Sequence, residues 1–404
     1  MSVTTRKEHA SAALDSGAMQ VLLFVLLLAA PEPESYERGK IVERIATMSD
    51  PSITYAYYLP SNYDPAKRWP VLYVFDPVKR GPLGAEIFRD AAETYGWIIV
   101  SSNDTDSSAD WYPNSRAINA MWPDAQRRFS VDRKRIYATG MSGGAIMAWS
   151  LAKVTKGVVG VIGCSGRLAD DHDTDDMTFD WFGTAGIADF NYSETRLIES
   201  KLADLHKTYR VEIVEGGHRW PPVPTLREAV EWMELQAIRR GIRARDDAFI
   251  AKMLESDLAA AAKLDDLNAM RRYDAIVRTF DGLTDTSAAK KKADELRASD
   301  SVKRALREEK RGDEMEKSAK QRMVRAVQDF IGNDMEVGPE LARAIDLSHL
   351  RKQAAGKDYA AAVAQRVLAV TRFQLRTLAD DLEQHGRAAR AEVVRSILQQ
   401  TQLQ

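Results

Sequence analysis

Residues 135–145 read RIYATGMSGGA. A β-rich run reaches Gly140, Ser142 stands two residues on, Gly143 and Gly144 follow, and helical spacing begins at once. A serine at so tight a strand-to-helix turn is held in a strained backbone conformation, so its neighbours must be small. Its hydroxyl then projects above the carboxyl end of a sheet. The amide after it, on Gly143, points to the place where an oxyanion would form. The plainer alternative is a glycine-rich turn that lets a helix pack closely on a strand. The strand before and the helix after favour Ser142 as a nucleophile.

On either side of this turn, from about residue 40 to 238, short β-rich runs alternate with helical stretches. Residues 41–47 and 53–59 alternate in part and predict strands at a sheet edge. Residues 71–75, 97–101, 135–139 and 158–163 are denser apolar runs, as expected of strands buried on both faces of a parallel sheet. Residues 179–183 and 211–214 complete eight strand candidates. Helical spacing covers 84–95, 116–129, 143–153, 192–208 and 225–239. This succession predicts an α/β fold, a mostly parallel sheet of about eight strands flanked by helices, over residues 31–238.

After Ile238 the composition changes. Residues 239–404 hold a single proline, Pro339, and abound in Ala, Leu, Arg, Lys and Glu, all strong helix formers. Helices are predicted over 244–265, 267–280, 286–299, 301–331, 339–354, 358–380 and 384–402. Together they make an all-α C-terminal domain, with stacked helical hairpins as one arrangement, although no fixed period is evident. The charge density over 301–325 predicts a solvated helix.

A serine hydroxyl needs a base beside it, and on such a sheet the chain order is serine, acid, histidine. Three histidines follow Ser142 in the α/β region: His172, His206 and His218. His206 falls in a predicted helix. His172 lies in an acidic loop, early for the base. His218 follows the last strand, on the glycine-rich loop of VEIVEGGHRWPP (211–222), and is the expected base. Between Ser142 and His218, the segment FDWFGTAGIADFNY (179–192) offers Asp180 inside the strand and Asp189 on the loop after it. Asp189 is therefore the expected acid. It would hold the imidazole tautomer and stabilise the imidazolium. The loop after VLYVFDP (71–77) should give a second oxyanion amide. Pro77 has no N–H, which leaves Val78. Trp111, Tyr112 and Trp220 either line a substrate pocket or pack beneath the loops, and Asn103 is a candidate hydrogen-bond partner for substrate. The aspartates at 170, 171, 173, 175 and 176 match no metal-binding loop and read as a solvated acidic turn.

Composition narrows the function classes. The 57 basic and 59 acidic residues nearly cancel and are interspersed, so the chain lacks the footprint of a nucleic-acid binder. The one cysteine, Cys164, precludes an intrachain disulfide and any zinc site built on several thiolates; its apolar setting suggests a small buried residue. The apolar run over 21–30 is too short for a stable membrane span, which needs about 20 residues. It suits a secretory signal within residues 1–30. A periplasmic or secreted location is expected, with a membrane-anchored or cytoplasmic protein as alternatives.

Four segments carry a family resemblance: LPSNYDPAKRWPVLYVFDP (59–77), VDRKRIYATGMSGGA (131–145), FGTAGIADFNY (182–192) and GGHRWPP (216–222). Over residues 40–238 the chain resembles α/β-hydrolases of the extracellular esterase group. Polyhydroxybutyrate depolymerases, feruloyl and acetylxylan esterases and prolyl-oligopeptidase-like hydrolases belong to it. The resemblance implies a triad of Ser142, Asp189 and His218. One departure is that Gly186, Ile187 and Ala188 separate the G-T-x run from Asp189, where many relatives place the aspartate directly. The resemblance does not cover the helical half.

The resulting expectation is ester hydrolysis through an acyl-enzyme, without metal or organic cofactor, on a small-molecule or polymeric ester. A serine peptidase is the first alternative. The second is a weakly active hydrolase scaffold whose helical half binds a protein partner.

Overall fold

The computed structural model describes residues 36–168, 174–332 and 338–402. The expected targeting segment and His172, with Asp170, Asp171 and Asp173, lie outside the described residues. Eight strands form one sheet: β1 (Ile41–Ala46), β2 (Thr54–Tyr58), β3 (Trp69–Phe75), β4 (Ile98–Ser102), β5 (Val131–Met141), β6 (Val158–Cys164), β7 (Asp180–Gly186) and β8 (Tyr209–Val214). Their order is β1-β2-β4-β3-β5-β6-β7-β8. β2 runs antiparallel to β1 and β4, and the remaining pairs are parallel. Every residue of β3 is buried, and burial of both faces explains its unbroken apolar run.

β5 begins earlier than its apolar run suggests. Trp69 pairs with Val131 and Val71 with Ile136, so the charged stretch between bulges out of the ladder. Helices α1 (Gly81–Tyr95), α2 (Trp111–Arg128), α3 (Gly143–Thr155), α4 (Tyr192–Asp204) and α5 (Val223–Arg239) follow the strands as anticipated. α2 starts five residues ahead of its predicted bound because Pro113 sits in the first turn, where a missing N–H costs nothing. The sheet is the mostly parallel, eight-stranded one expected, with helices following its strands.

Among the described residues, eight further helices follow: α6 (Asp247–Ala261), α7 (Asp266–Phe280), α8 (Ser287–Ala298), α9 (Asp300–Gly332), α10 (Gly338–Ile345), α11 (Leu347–Ala354), α12 (Tyr359–Gln384) and α13 (Ala388–Gln400). The span expected as one helix over 339–354 is broken at Asp346, whose φ of 62° is left-handed. Aspartate tolerates that conformation better than most residues. The break sends Leu341 and Ile345 of α10, and Leu347 and Leu350 of α11, into the same core.

The stretch 301–325 is not simply solvated. α9 buries Val302, Gly312, Glu316, Ala319 and Met323 along one side. Its buried charge, Glu316, is paired rather than hydrated.

No gap in packing separates the sheet from the helices that follow; Glu37–Gln404 form one compact unit. Leu235 and Ile238 of α5 share a core with Ile250, Tyr273, Ile276 and Phe280. Buried charge joins the halves too. Arg210 of β8 and Arg272 of α7 share the carboxylates of Glu212, Glu228 and Asp257. No helix among the described residues is long and apolar enough to cross a membrane.

Candidate active site

Ser142 lies between the last residue of β5 and the first of α3, with φ 56° and ψ −122°. A non-glycine residue held there stores backbone strain, which the surrounding structure must impose. Its amide donates to Cys164 O at 2.8 Å, fixing the turn to the neighbouring strand. A Cβ on Gly144 would collide with Phe75 O, so this position accepts only glycine without a shift of α3 from β3. As the first residue of α3, Gly143 has an N–H with no intrahelical acceptor. It also carries the partial positive charge of a helix start.

His218 sits on the loop between β8 and α5, and Asp189 on the loop between β7 and α4. These loops meet by close backbone approach. Ala188 N donates to Gly216 O at 2.9 Å, and a Cβ on Gly186 would collide with that same carbonyl. Gly216 itself has φ 108°, open only to glycine. The three residues separating the G-T-x run from Asp189 are thus spent reaching the histidine loop.

The side chains form a continuous chain. His218 Nδ1 is 2.9 Å from Asp189 Oδ1, and His218 Nε2 is 2.9 Å from Ser142 Oγ. A carboxylate only accepts, so Nδ1 carries the proton and Nε2 is left to accept the serine O–H. Asp189 is fully buried. Its Oδ1 also accepts from Asn191 N at 2.8 Å, while Oδ2 has no hydrogen-bond partner among the described residues. Asp180, the other aspartate of this segment, is at the opposite end of β7, paired with Arg240 at 2.7 Å. His206 sits at the far end of α4, after Asp204.

Several expected residues are placed otherwise. Val78 N donates to Asp76 Oδ1 at 3.0 Å, Lys79 N to Thr105 O at 3.1 Å, and Arg80 N to Asp76 Oδ1 at 3.3 Å. The amides of this loop are therefore already engaged, two of them by the buried Asp76 carboxylate. Asn103 spends its side-chain amide on Glu43 O and Thr54 Oγ1, which ties down the first two strands. Trp220 donates its indole N–H to Asp76 Oδ2 at 2.8 Å and packs edge-on against Phe88. It anchors the histidine loop to the end of β3. Trp111 and Tyr112 stand exposed in the first turn of α2.

Sequence reasoning passed over Asp76, Phe190, Arg366 and Phe373. The ring of Phe190 stacks on His218, centroids 4.0 Å apart, and Phe373 of α12 stacks on Phe190 at 5.7 Å. Arg366, also on α12, is fully buried and donates to Ile187 O at 3.0 Å. Its guanidinium also bonds Glu316 at 2.7 Å and lies 4.3 Å from the centre of the Tyr192 ring. Phe190 could have been noticed beside Asp189. Nothing local marks residues almost two hundred positions downstream.

Cys164 lies directly under the serine turn, and burial pushes its thiol up to about 12. It should therefore resist a disulfide reagent at pH 8 in the native protein and release one equivalent in denaturant. Rapid native reaction would show that this region opens. Among the described residues, no group of three or more His, Cys, Asp or Glu is arranged to hold a metal ion.

No protein-family model and no curated protein matches the chain. Solved structures of esterases and serine hydrolases of the α/β type do. A ferulic acid esterase is 17% identical, with a TM-score of 0.42, over 49% of this chain and 98% of that one. The fluorophosphonate-binding serine hydrolase F of Staphylococcus aureus is 14% identical, with a TM-score of 0.40, over 49% and 99%. Dipeptidyl peptidase 4 of Porphyromonas gingivalis is 14% identical, with a TM-score of 0.38, over 48% of this chain and 35% of that one.

Proposed function

From an α/β-hydrolase sheet of this order, we propose that the protein is a serine hydrolase that cleaves carboxylic esters through an acyl-enzyme. One observation carries the reading. A serine strained at a helix start is linked through one imidazole to a buried carboxylate, with both hydrogen bonds at 2.9 Å.

His218 Nε2 takes the proton of Ser142 Oγ as that oxygen attacks the ester carbonyl carbon. The carbonyl oxygen becomes an oxyanion, to which Gly143 N–H donates. The carbon–oxygen bond to the alcohol breaks, and His218 returns the proton to the departing alkoxide. Water then repeats the sequence on the acyl-Ser142 ester, releasing the carboxylic acid. Each step moves one proton between Ser142 or water and the leaving group through His218. The same proposal sets the enzyme outside the cytoplasm, supported by the apolar run over 21–30.

The test is reaction of the full chain with a fluorophosphonate, followed by mass mapping of the adduct. One adduct on the peptide containing Ser142 is expected. A folded protein that takes no label, or takes it elsewhere, removes Ser142 as nucleophile.

A further inference from the structure

The helical half reaches into the site proposed above. Phe373 is more than half exposed, at 54%, whereas Thr371 and Leu375 on the same helix are buried. Its ring is not loose. It lies at 28° to the plane of Phe190, which lies at 28° to His218, so the three rings form one continuous stack leading away from the imidazole. Arg366 precedes Phe373 by seven residues, two turns along the same side of α12. Its bond to Ile187 O pins that side against the loop carrying Asp189 and Phe190. Two anchors therefore fix where the Phe373 ring stands.

In the proposed mechanism the imidazole faces the leaving oxygen, since Nε2 must hand it a proton. The group attached to that oxygen therefore leaves the reacting centre beside the His218 ring, whereas the carbonyl oxygen points toward Gly143 and the acyl chain takes the remaining direction. The apolar surface next to the imidazole is the Phe190 ring, which Phe373, stacked on it at 5.7 Å, extends outward. We propose that Phe373 is a specificity-determining residue. With Phe190 it forms an aromatic shelf for the alcohol portion of the substrate, and it favours esters of flat, aromatic alcohols. This rests on the serine hydrolase reading and adds to it a substrate class and a role for α12.

The test holds the acyl group constant and varies the alcohol. Wild type, Phe373→Ala and Phe373→Tyr are assayed as full chains on ethyl acetate and 2-naphthylmethyl acetate, with ethyl 2-naphthylacetate as the acyl-side counterpart. The readout is the ratio of kcat/KM between substrates, which a uniform loss of active protein does not move. For Phe373→Ala the naphthylmethyl-to-ethyl ratio should fall about tenfold, the scale of one lost aromatic contact. Phe373→Tyr should restore it, and the acyl-side ratio should hold. An unchanged alcohol ratio, or an equal fall in both ratios, overturns the shelf while leaving the hydrolase in place. A wild type that cleaves none of the three and takes no fluorophosphonate overturns both.

Discussion

Asp189→Asn is expected to lower kcat on a short-chain ester by about 10⁴-fold, the scale of loss when an amide replaces the carboxylate behind a catalytic imidazole. Two orientations are open to the new amide. With its oxygen at the Oδ1 position it keeps the bonds from His218 and Asn191, but no negative charge remains to stabilise the imidazolium. Its NH2 then occupies the Oδ2 position, where the described residues offer no partner, and burying unpaired donors costs about 1–3 kcal/mol. Flipped, the NH2 faces Nδ1 and forces the proton to Nε2, which can then no longer accept from Ser142. Both orientations remove function. Steady-state kinetics beside a melting curve checks this, and Asp180→Asn, altering the Arg240 pair, gives the comparison. A fall below tenfold in folded Asp189→Asn would take the aspartate out of the proposed relay.

Arg366→Met should destabilise the protein by about 1–3 kcal/mol, because it removes a charge-assisted hydrogen bond from a buried carboxylate. Glu316 would keep Lys320 at 2.6 Å and Ser193 at 2.7 Å but lose its guanidinium, and Ile187 O would lose its donor. The cation–π contact with Tyr192 disappears as well. Burial pushes the Glu316 carboxyl up, yet Arg366 and Lys320 outweigh it and hold the group below its usual value of 4.5. A carboxyl so lowered contributes stability that is complete well above 4.5 and lost as pH falls through its folded value. Urea unfolding of wild type should therefore show falling stability below about pH 4.5, with a shallower slope in Glu316→Gln. An Arg366→Met variant as stable as wild type would show that the guanidinium does not hold this junction.

The sheet was legible because its central strands are buried on both faces, and unbroken apolar runs such as WPVLYVF leave little choice. Ser142 and His218 were legible because each needs a glycine-rich turn, and turn chemistry is local. Asp189 was harder to read, since its three-residue offset makes sense only once Gly216 O is seen accepting from Ala188 N. The amide of Val78 is placed otherwise for a related reason. A buried carboxylate two residues before it claims the amide, and sequence gives no burial for Asp76. The helix break at Asp346 is a choice between two packings of the same apolar residues, which periodicity alone does not separate. Arg366 and Phe373 lay beyond any local signal because their meaning comes from a loop on the other half of the chain.

The Arg366–Ile187 bond joins positions 179 residues apart, and during synthesis that separation is a delay. At about 5–20 residues per second, Arg366 is made about 10–35 s after Ile187. The sheet and the serine turn can form within that interval, while the loop bearing the acid lacks its carbonyl anchor and the aromatic stack its outer ring. The order of translation thus makes the Ser142 turn first and the outer ring of the aromatic stack beside His218 last.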